Sequence, residues 1–442
     1  MTNSMFKRGA LLILALAISA GFLDSARAQQ AVSAAADMTG LTLAAETSST
    51  STSTSSTSEV TSKSGPDIGT GIFSPFPFKL TLDVQNGYDD NVTTSNQFKQ
   101  GSGFTEGGVS LSYDFGDARA QLNLEAGVSV TYYWQNISVP GFSVNDYDIN
   151  SYLRFNGSYK ASPRLTLSTN DYIAYLTEPD FSIAQGNNYR TSNYFYTQDK
   201  FTANYLWAPR FATATSYTLG VLQYADSQIG DFQDRVENTF GNEFRFLLAP
   251  TTALVAEYRY QIVSYQHISD RNSTTHFALG GIDHQFDPQL SVVFRGGAEF
   301  RDYDTGPSRT SPYFENTFTY IVGKRTNVSW ILRYGLEEPG DAFSQTRETF
   351  RTGLAAKHDF TAKISADLGI YYEHDHYESF EQSGVVSPSF DEDSIDLAIS
   401  LHYLITRNFG VEAGYNFTNV TSDIPAREYT RNRYWGGLNL VF

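Results

Sequence analysis

The sequence predicts an all-β chain: a closed antiparallel transmembrane β-barrel of about eighteen strands, preceded by a disordered N-terminal arm. Three observations predict it. The final stretch alternates with a period of two, short turns recur at near-regular intervals, and an export-type N-terminus is followed by no membrane-length apolar run.

The N-terminus comes first. Lys7 and Arg8 precede an apolar run from Ala10 to Leu23, and Ala26-Arg27-Ala28 follows. A positive start, a short apolar core and small residues before the cut describe a secretory signal over residues 1–28. No later run reaches the roughly eighteen consecutive apolar residues that a spanning helix needs. Only a barrel could then cross a bilayer, where every backbone group must be paired internally.

Residues 29–77 are rich in Ser and Thr, above all from Ser48 to Ser64, and have little to bury. Such composition cannot offset the entropy of ordering, so a disordered periplasmic arm is expected. Phe73, Phe76 and Phe78 are spaced by Pro75 and Pro77 and could dock at a barrel mouth.

From Phe78 to Phe442 the punctuation is regular. Tight turns fall at Gly116-Asp117, Pro163, Pro209, Pro250, Pro288, Gly323-Lys324, Asp359-Phe360 and Thr406-Arg407. Four contain a Pro that a strand could not accommodate. Between them lie intervals of one hairpin each, with longer polar connections on the other side. Eight short turns separate nine hairpins, hence eighteen strands, with sixteen the alternative if one hairpin is miscounted. Short turns on one rim and longer loops on the other is a barrel asymmetry, the short side being periplasmic.

The last strand shows the pattern inside each hairpin. One face carries Phe442, Leu440, Leu438, Gly436 and Tyr434; the other carries Val441, Asn439, Gly437, Trp435, Arg433 and Arg431. Leu122, Leu124, Val128 and Val130 form a similar apolar face, as do Phe240, Phe244 and Phe246, and Ile395, Leu397, Ile399 and Leu401. Two stretches resist. Asp171 shares a face with Leu167 and Ile173, and residues 193–207 have no clean parity; bulges or strand ends above the hydrocarbon are the expected reason.

The opposite parity is charged and so should line a hydrated lumen. It offers Arg235, Arg245, Arg259, Arg295, Arg301, Arg333, Arg347, Arg351 and Lys357, against Glu237, Glu243, Glu257, Glu299, Glu315 and Glu337. An Arg or Lys on the lipid face costs about 2–4 kcal/mol near the midplane, so these side chains must point inward. Either they pair across strands as a stiffening ladder, or they set a transverse field at a constriction. The loops Thr177–Thr191 and Glu378–Glu392 are the candidates for folding into the lumen. The second is acidic and could hold divalent cations, or be merely solvated.

Composition excludes other classes. The 442 residues include no Cys, which removes disulfides and the acylated Cys of a lipoprotein. The formal charge is −17; loss of residues 1–28 takes away a net +2 and leaves −19, so nucleic acid is not an expected partner. Tyr and Phe are nearly equal, 29 and 32, which suits a boundary between hydrocarbon and water. His374-Asp375-His376 is the one cluster with catalytic or metal-binding residue types; on a strand the two His share a face, which fits a polar collar at the membrane boundary. There is no nucleophile elbow, HExxH or phosphate loop, so neither an enzyme nor a cofactor is expected.

Two stretches carry a resemblance. The closing strand, ending on Phe442, resembles that of bacterial outer-membrane barrels, whose terminal aromatic serves as an insertion signal. The stretch Leu82 to Val92, with its Tyr88-Asp89-Asp90-Asn91-Val92, resembles the opening of a family of outer-membrane β-barrel porins that often accompany exopolysaccharide systems. The resemblance implies a porin-like aqueous channel for small polar solutes in a Gram-negative outer membrane. Its implied alternative is a non-catalytic barrel of an exopolysaccharide export system. The implied partners are outer-membrane lipids, the barrel-insertion machinery, and polysaccharide or a periplasmic protein. From the residues alone, Asp89, Asp90 and Asn91 read as a loop-initiating turn, with a cation site as the alternative.

Overall fold

The computed structural model describes residues 78–138, 146–177, 189–341, 344–382 and 385–442. The signal and the Ser/Thr-rich arm lie outside the described residues. The strands are β1 (Phe78–Asp89), β2 (Ser102–Gly116), β3 (Ala120–Tyr133), β4 (Tyr147–Ser162), β5 (Leu165–Thr177), β6 (Asn193–Ala208), β7 (Phe211–Tyr224), β8 (Arg235–Ala249) and β9 (Thr252–Tyr265). They continue with β10 (Ser273–Gln285), β11 (Leu290–Tyr303), β12 (Arg309–Val322), β13 (Thr326–Glu337), β14 (Ser344–Asp359) and β15 (Ile364–Gln382). The last are β16 (Val385–Ser387), β17 (Phe390–Leu404), β18 (Phe409–Ser422) and β19 (Tyr429–Val441). β16 pairs only with the far end of β15, as a hairpin tip beyond the wall. The other eighteen strands are the wall, each antiparallel to its neighbours, and β1 pairs with β19 to close it. The sixteen-strand alternative is excluded.

All eight expected turns are present, and five share one device. Asp117, Ser162, Asp287, Thr361 and Thr406 each accept the backbone N–H groups two and three residues on. The side chain thereby satisfies donors that the ladder leaves behind. At the β12–β13 turn Gly323 has φ +63, a left-handed conformation that costs other residues a Cβ clash. Aromatics band both rims on the outside: Phe115, Trp207, Phe286 and Phe360 by the short turns, Tyr88, Tyr132, Trp134 and Tyr147 by the long loops, all more than 45% exposed.

The two stretches without clean parity are regular strands. β5 and β6 pair in continuous register from Leu165↔Tyr205 to Thr177↔Asn193, with no bulge at Asp171. The bulges in this region lie beside the turns, at Lys160/Ser162 and Leu206/Ala208. Asp171 therefore faces outward from mid-strand and neither expected explanation holds for it, whereas residues 193–207 do end in a bulge, at Leu206/Ala208.

The closing seam explains the Tyr88–Val92 stretch. Register runs from Thr81↔Val441 to Asp89↔Arg433, and the backbones of Leu80 and Phe442 exchange hydrogen bonds of 2.8 and 3.1 Å. At the other end Asp89 accepts from Arg431 at 2.5 Å and from the Asn91 N–H at 3.0 Å. Asp90 accepts from the Asn432 N–H at 2.6 Å, and Asn91 donates to the Thr430 carbonyl at 2.9 Å. Three consecutive side chains thus clasp the first strand to the last.

Two outcomes are expected. Asp89 is fully buried, so Asp89→Ala strands a buried guanidinium and should cost about 3–5 kcal/mol in urea unfolding from lipid vesicles. Partial burial pushes the Asp90 carboxyl up, but the Asn432 and Lys99 donors outweigh it, and its folded pKa lies below the ordinary 3.8. Its contribution is therefore complete above that value and is lost as pH falls through the folded one. Between about pH 5 and about pH 3 the wild-type unfolding midpoint should drop more than that of Asp90→Asn.

Candidate channel lining and mouth

Alternation places one side chain in two on the inside, and the inner face of β8 to β15 is where charge concentrates. Arg235, Glu237, Glu243 and Arg245 are on β8, Glu257 and Arg259 on β9, and Arg295, Glu299 and Arg301 on β11. Glu315 is on β12, Arg333 and Glu337 on β13, and Arg347, Arg351 and Lys357 on β14. All share the inner parity of their strands.

The geometry is that of an ion-pair ladder. Within β8 and β9, opposite charges two residues apart pair directly: Arg235 with Glu237 at 2.8 Å, Arg245 with Glu243 at 2.9 Å, Arg259 with Glu257. Cross-strand links follow. Arg295, fully buried, meets Asp283 at 2.6 Å, Glu243 at 3.2 Å and Glu257 at 3.6 Å. Arg259 reaches Glu315 at 2.5 Å, and Tyr313 Oη donates to the same carboxylate at 2.6 Å. Arg347 meets Asp375 at 2.9 Å, Glu337 at 3.1 Å and Glu373 at 3.2 Å; Arg351 pairs with Glu373. The signs interleave along β8, β9, β11 and β13, whereas β14 carries only Arg347, Arg351 and Lys357 on this face and is answered by Glu373, Asp375 and Asp367 of the adjacent β15. A buried ion is tolerable only when paired and hydrogen-bonded, and these are.

Packing fixes the rows. Gly335 lets Tyr313 and Glu299 lie against β13: an added Cβ would stand 2.7 Å from the ring and 2.8 Å from the Glu299 carboxylate. Glu299 in turn accepts from the Leu336 N–H at 2.5 Å. Arg333 is the open member, its side chain 36% exposed against 0% for Arg295. It lines a polar pocket with Arg235, Gln261, Phe277, Arg301 and Pro339. Lys357 lies near the short-turn rim with Asn327 and Asp367 as register neighbours.

Three loops meet across the long-loop mouth. From the β5–β6 loop, Arg190 pairs with Asp148 of β4 at 2.5 Å, and Tyr189 donates to Glu392 of β17 at 2.7 Å. Arg427, from the short 3₁₀ turn before β19, also holds Glu392, at 2.8 Å, and stands over the Tyr189, Tyr377 and Phe390 rings. From the β13–β14 loop, Glu338 takes Arg301 at 3.0 Å and Tyr265 Oη at 2.7 Å. The Asp341 carbonyl accepts from Arg271 and from Gln233, the last residue of the short helix α1 (Ser227–Gln233), and its carboxylate lies 3.9 Å from Arg427. Burial works against the Tyr189 phenolate, and the Glu392 charge adds to it, so this hydroxyl stays protonated as a donor.

The sequence-based candidates fare unevenly at the mouth. Of Thr177–Thr191, the described Tyr189 and Arg190 do fold inward; 178–188 lie outside the described residues. Glu378–Glu392 behaves differently: Glu392 points inward, whereas Glu378 pairs with Arg309, and Asp391 and Asp393 bond to His376 and His374. Both His and both Asp stand on the outward parity near the rim, as a polar collar. Asp375, on the other parity, joins Arg347. Among the described residues no group of three or more His, Asp or Glu could hold a metal ion. The β13–β14 loop, Arg427, Glu373 and Asp283 were not singled out from sequence. Inner parity signals the last two; nothing local marks the loop residues.

The profile of a family described as "Putative beta-barrel porin 2" matches residues 68–442. The chain belongs to this porin family. It is an outer-membrane barrel of the Gram-negative type with a porin-like channel architecture. No curated protein matches the chain. Among solved structures, OccAB4 of Acinetobacter baumannii is similar over 83% of this chain and 99% of its own, at 10% identity and TM-score 0.41. OpdK of Pseudomonas aeruginosa aligns over the same shares at 12% and 0.41, and OccK9 (OpdG) of that organism over 83% and 98% at 12% and 0.42. The family description lends no support to an exopolysaccharide role.

Arg295 offers a test of the ladder in this porin-family barrel. Arg295→Leu leaves Asp283 and Glu243 buried beside each other and should destabilise the barrel by about 3–5 kcal/mol. Adding Asp283→Leu should recover part of the loss, measured as the urea midpoint of refolded protein.

Proposed function

We propose that the barrel passes small polar solutes passively, through a lumen narrowed on one side by the β8–β15 ladder and at the mouth by the three loops. The observation that carries this is the two-signed inner face: nearly every described Arg there is matched by a carboxylate, and such a surface solvates solutes of either sign. The lining residues named above act on this reading as a hydrophilic wall, with Arg333 more open to water than Glu237, Arg259 and Glu315. The barrel acts without catalysis or cofactor, His374 and His376 being engaged by Asp on the outside. Outer-membrane lipids surround it, and Phe442, paired to Leu80, serves the insertion machinery.

One cluster beside the ladder biases selectivity. Asp367 of β15 and Glu412 of β18 share one imidazole, His402, at 3.2 and 3.1 Å. Two carboxylates to one imidazole favour cations mildly.

Purified protein in planar bilayers should show discrete openings and, in a KCl gradient, a reversal potential of the sign for weak cation preference. Absence of openings would remove the channel reading. Arg190→Ala, which frees the β5–β6 loop from Asp148, should raise single-channel conductance by about a factor of two. Unchanged conductance would mean that the mouth does not limit flow.

A further inference from the structure

The short-turn rim uses its cations differently from the rest of the molecule. Six of the eight short turns carry a basic residue: Arg119, Arg164, Arg210, Arg325, Lys363 and Arg407, with Lys324 beside Arg325. All seven are exposed. The turns do not need these side chains, since Asp117, Ser162, Thr361 and Thr406 already satisfy free backbone N–H groups there. Among the described residues none of the seven forms a salt bridge. At the long-loop rim the same residue types are held by the protein: Lys99, Arg190, Arg309, Arg427 and Arg431 each pair with a carboxylate. The exposed acids of the short-turn rim are themselves engaged, Asp117 and Asp287 by turn N–H groups and Asp114 by Asn123 at 2.7 Å. A chain of formal charge −17 thus ends, on one side, in a belt of positive charge that its own carboxylates do not answer.

We propose that this belt binds the phosphate groups of anionic phospholipids in the leaflet on the short-turn side. Its depth fits. Phe115, Trp207 and Phe360, all exposed, stand three or four residues before Arg119, Arg210 and Lys363. An aromatic band marks the boundary between hydrocarbon and water, so cations just beyond it sit at headgroup level. Direction fits as well: Arg119 lies over the outward-facing Tyr159 ring, 5.3 Å from its centre, and donates to Tyr159 Oη at 2.9 Å. Its guanidinium is therefore on the lipid side of the wall and not in the lumen. Five of the seven are Arg, whose planar fork matches two phosphate oxygens at once. The belt runs from the β2–β3 turn to the β17–β18 turn and is broken at the β8–β9 and β10–β11 turns, which carry no cation. A single periplasmic protein would dock on one arc, whereas a shell of lipids meets the whole circumference. A headgroup with a net negative charge answers the belt better than a zwitterionic one, whose own ammonium already attends its phosphate.

The test places purified protein in nanodiscs of phosphatidylglycerol and phosphatidylcholine, in equal amounts and with the same acyl chains. The protein is then released in mild detergent, and the lipid that stays bound is identified by native mass spectrometry. Wild type should retain phosphatidylglycerol over phosphatidylcholine by about tenfold, and the preference should shrink as salt is raised. Arg119→Gln, Arg164→Gln, Arg210→Gln, Lys324→Gln, Arg325→Gln, Lys363→Gln and Arg407→Gln combined should bring the ratio near one, with the gel mobility of the folded barrel unchanged. The smaller variant Arg164→Gln/Arg210→Gln should lower the ratio by about threefold. Lys99→Gln, at the opposite rim, should leave it as in wild type. Equal retention of the two lipids by wild type overturns the proposal. So does a preference that both Gln variants of the belt keep, or one that Lys99→Gln also abolishes. Sedimentation with peptidoglycan sacculi separates the nearest rival. Sacculus binding that the belt substitutions abolish, with no phospholipid preference in wild type, overturns the proposal in favour of the acidic cell wall.

Discussion

Everything in this fold depends on the pairing of β1 with β19. In hydrocarbon an unpaired N–H or C=O costs several kcal/mol, so a sheet of eighteen strands is viable only if its first and last edges find each other. The two edges are more than three hundred residues apart in sequence. Backbone register alone would tolerate a slip of two residues, which preserves the faces. Asp89, Asp90 and Asn91 remove that freedom, because each bonds a specific group of Thr430, Arg431 or Asn432. Closure and register are thus set by the same few side chains, at the rim where strand pairing ends.

Closure creates an inside, and the inside permits what the outside forbids. The guanidinium and carboxylate groups of β8 to β15 are held away from lipid by parity and away from bulk water by one another. Their pairing costs little in specificity of solute, since each charge is answered locally, but it stiffens the wall against which the mouth loops rest. The loops in turn use the same chemistry: Arg190, Arg427 and Glu338 are charged residues that cross from a loop to the wall. Asp171 and Asp199 are the exception that parity exposes, two acids, each hydrogen-bonded by a Thr, on a face that otherwise carries Leu, Ile, Phe and Tyr at most positions.

Much of this was legible in the chain. The eight turns announce themselves because Pro, Gly and short acceptor side chains are required there for local reasons, and strand number follows from counting them. The inner charged residues are legible because a period of two leaves them one direction to point. Asp171 was legible only as an anomaly. Parity placed it with Leu167 and Ile173, and a bulge was the expected excuse; the continuous register of β5 with β6 withdraws it. The mouth was the least legible part, because loop side chains carry no periodicity. Glu338 and Asp341 look like ordinary solvated residues until β9, β11 and Arg427 are brought beside them.

By itself, then, the sequence determined the class of fold, the hairpin count and which side of each strand meets water. These follow from interactions between residues a few positions apart: turn hydrogen bonds and the alternation of side chains. Only the tertiary structure decided which charges meet, that the Tyr88–Val92 loop start is also a clasp, and which loops enter the lumen. Those outcomes rest on contacts between residues far apart in the chain, whose partners are chosen by closure of the barrel and not by any local preference.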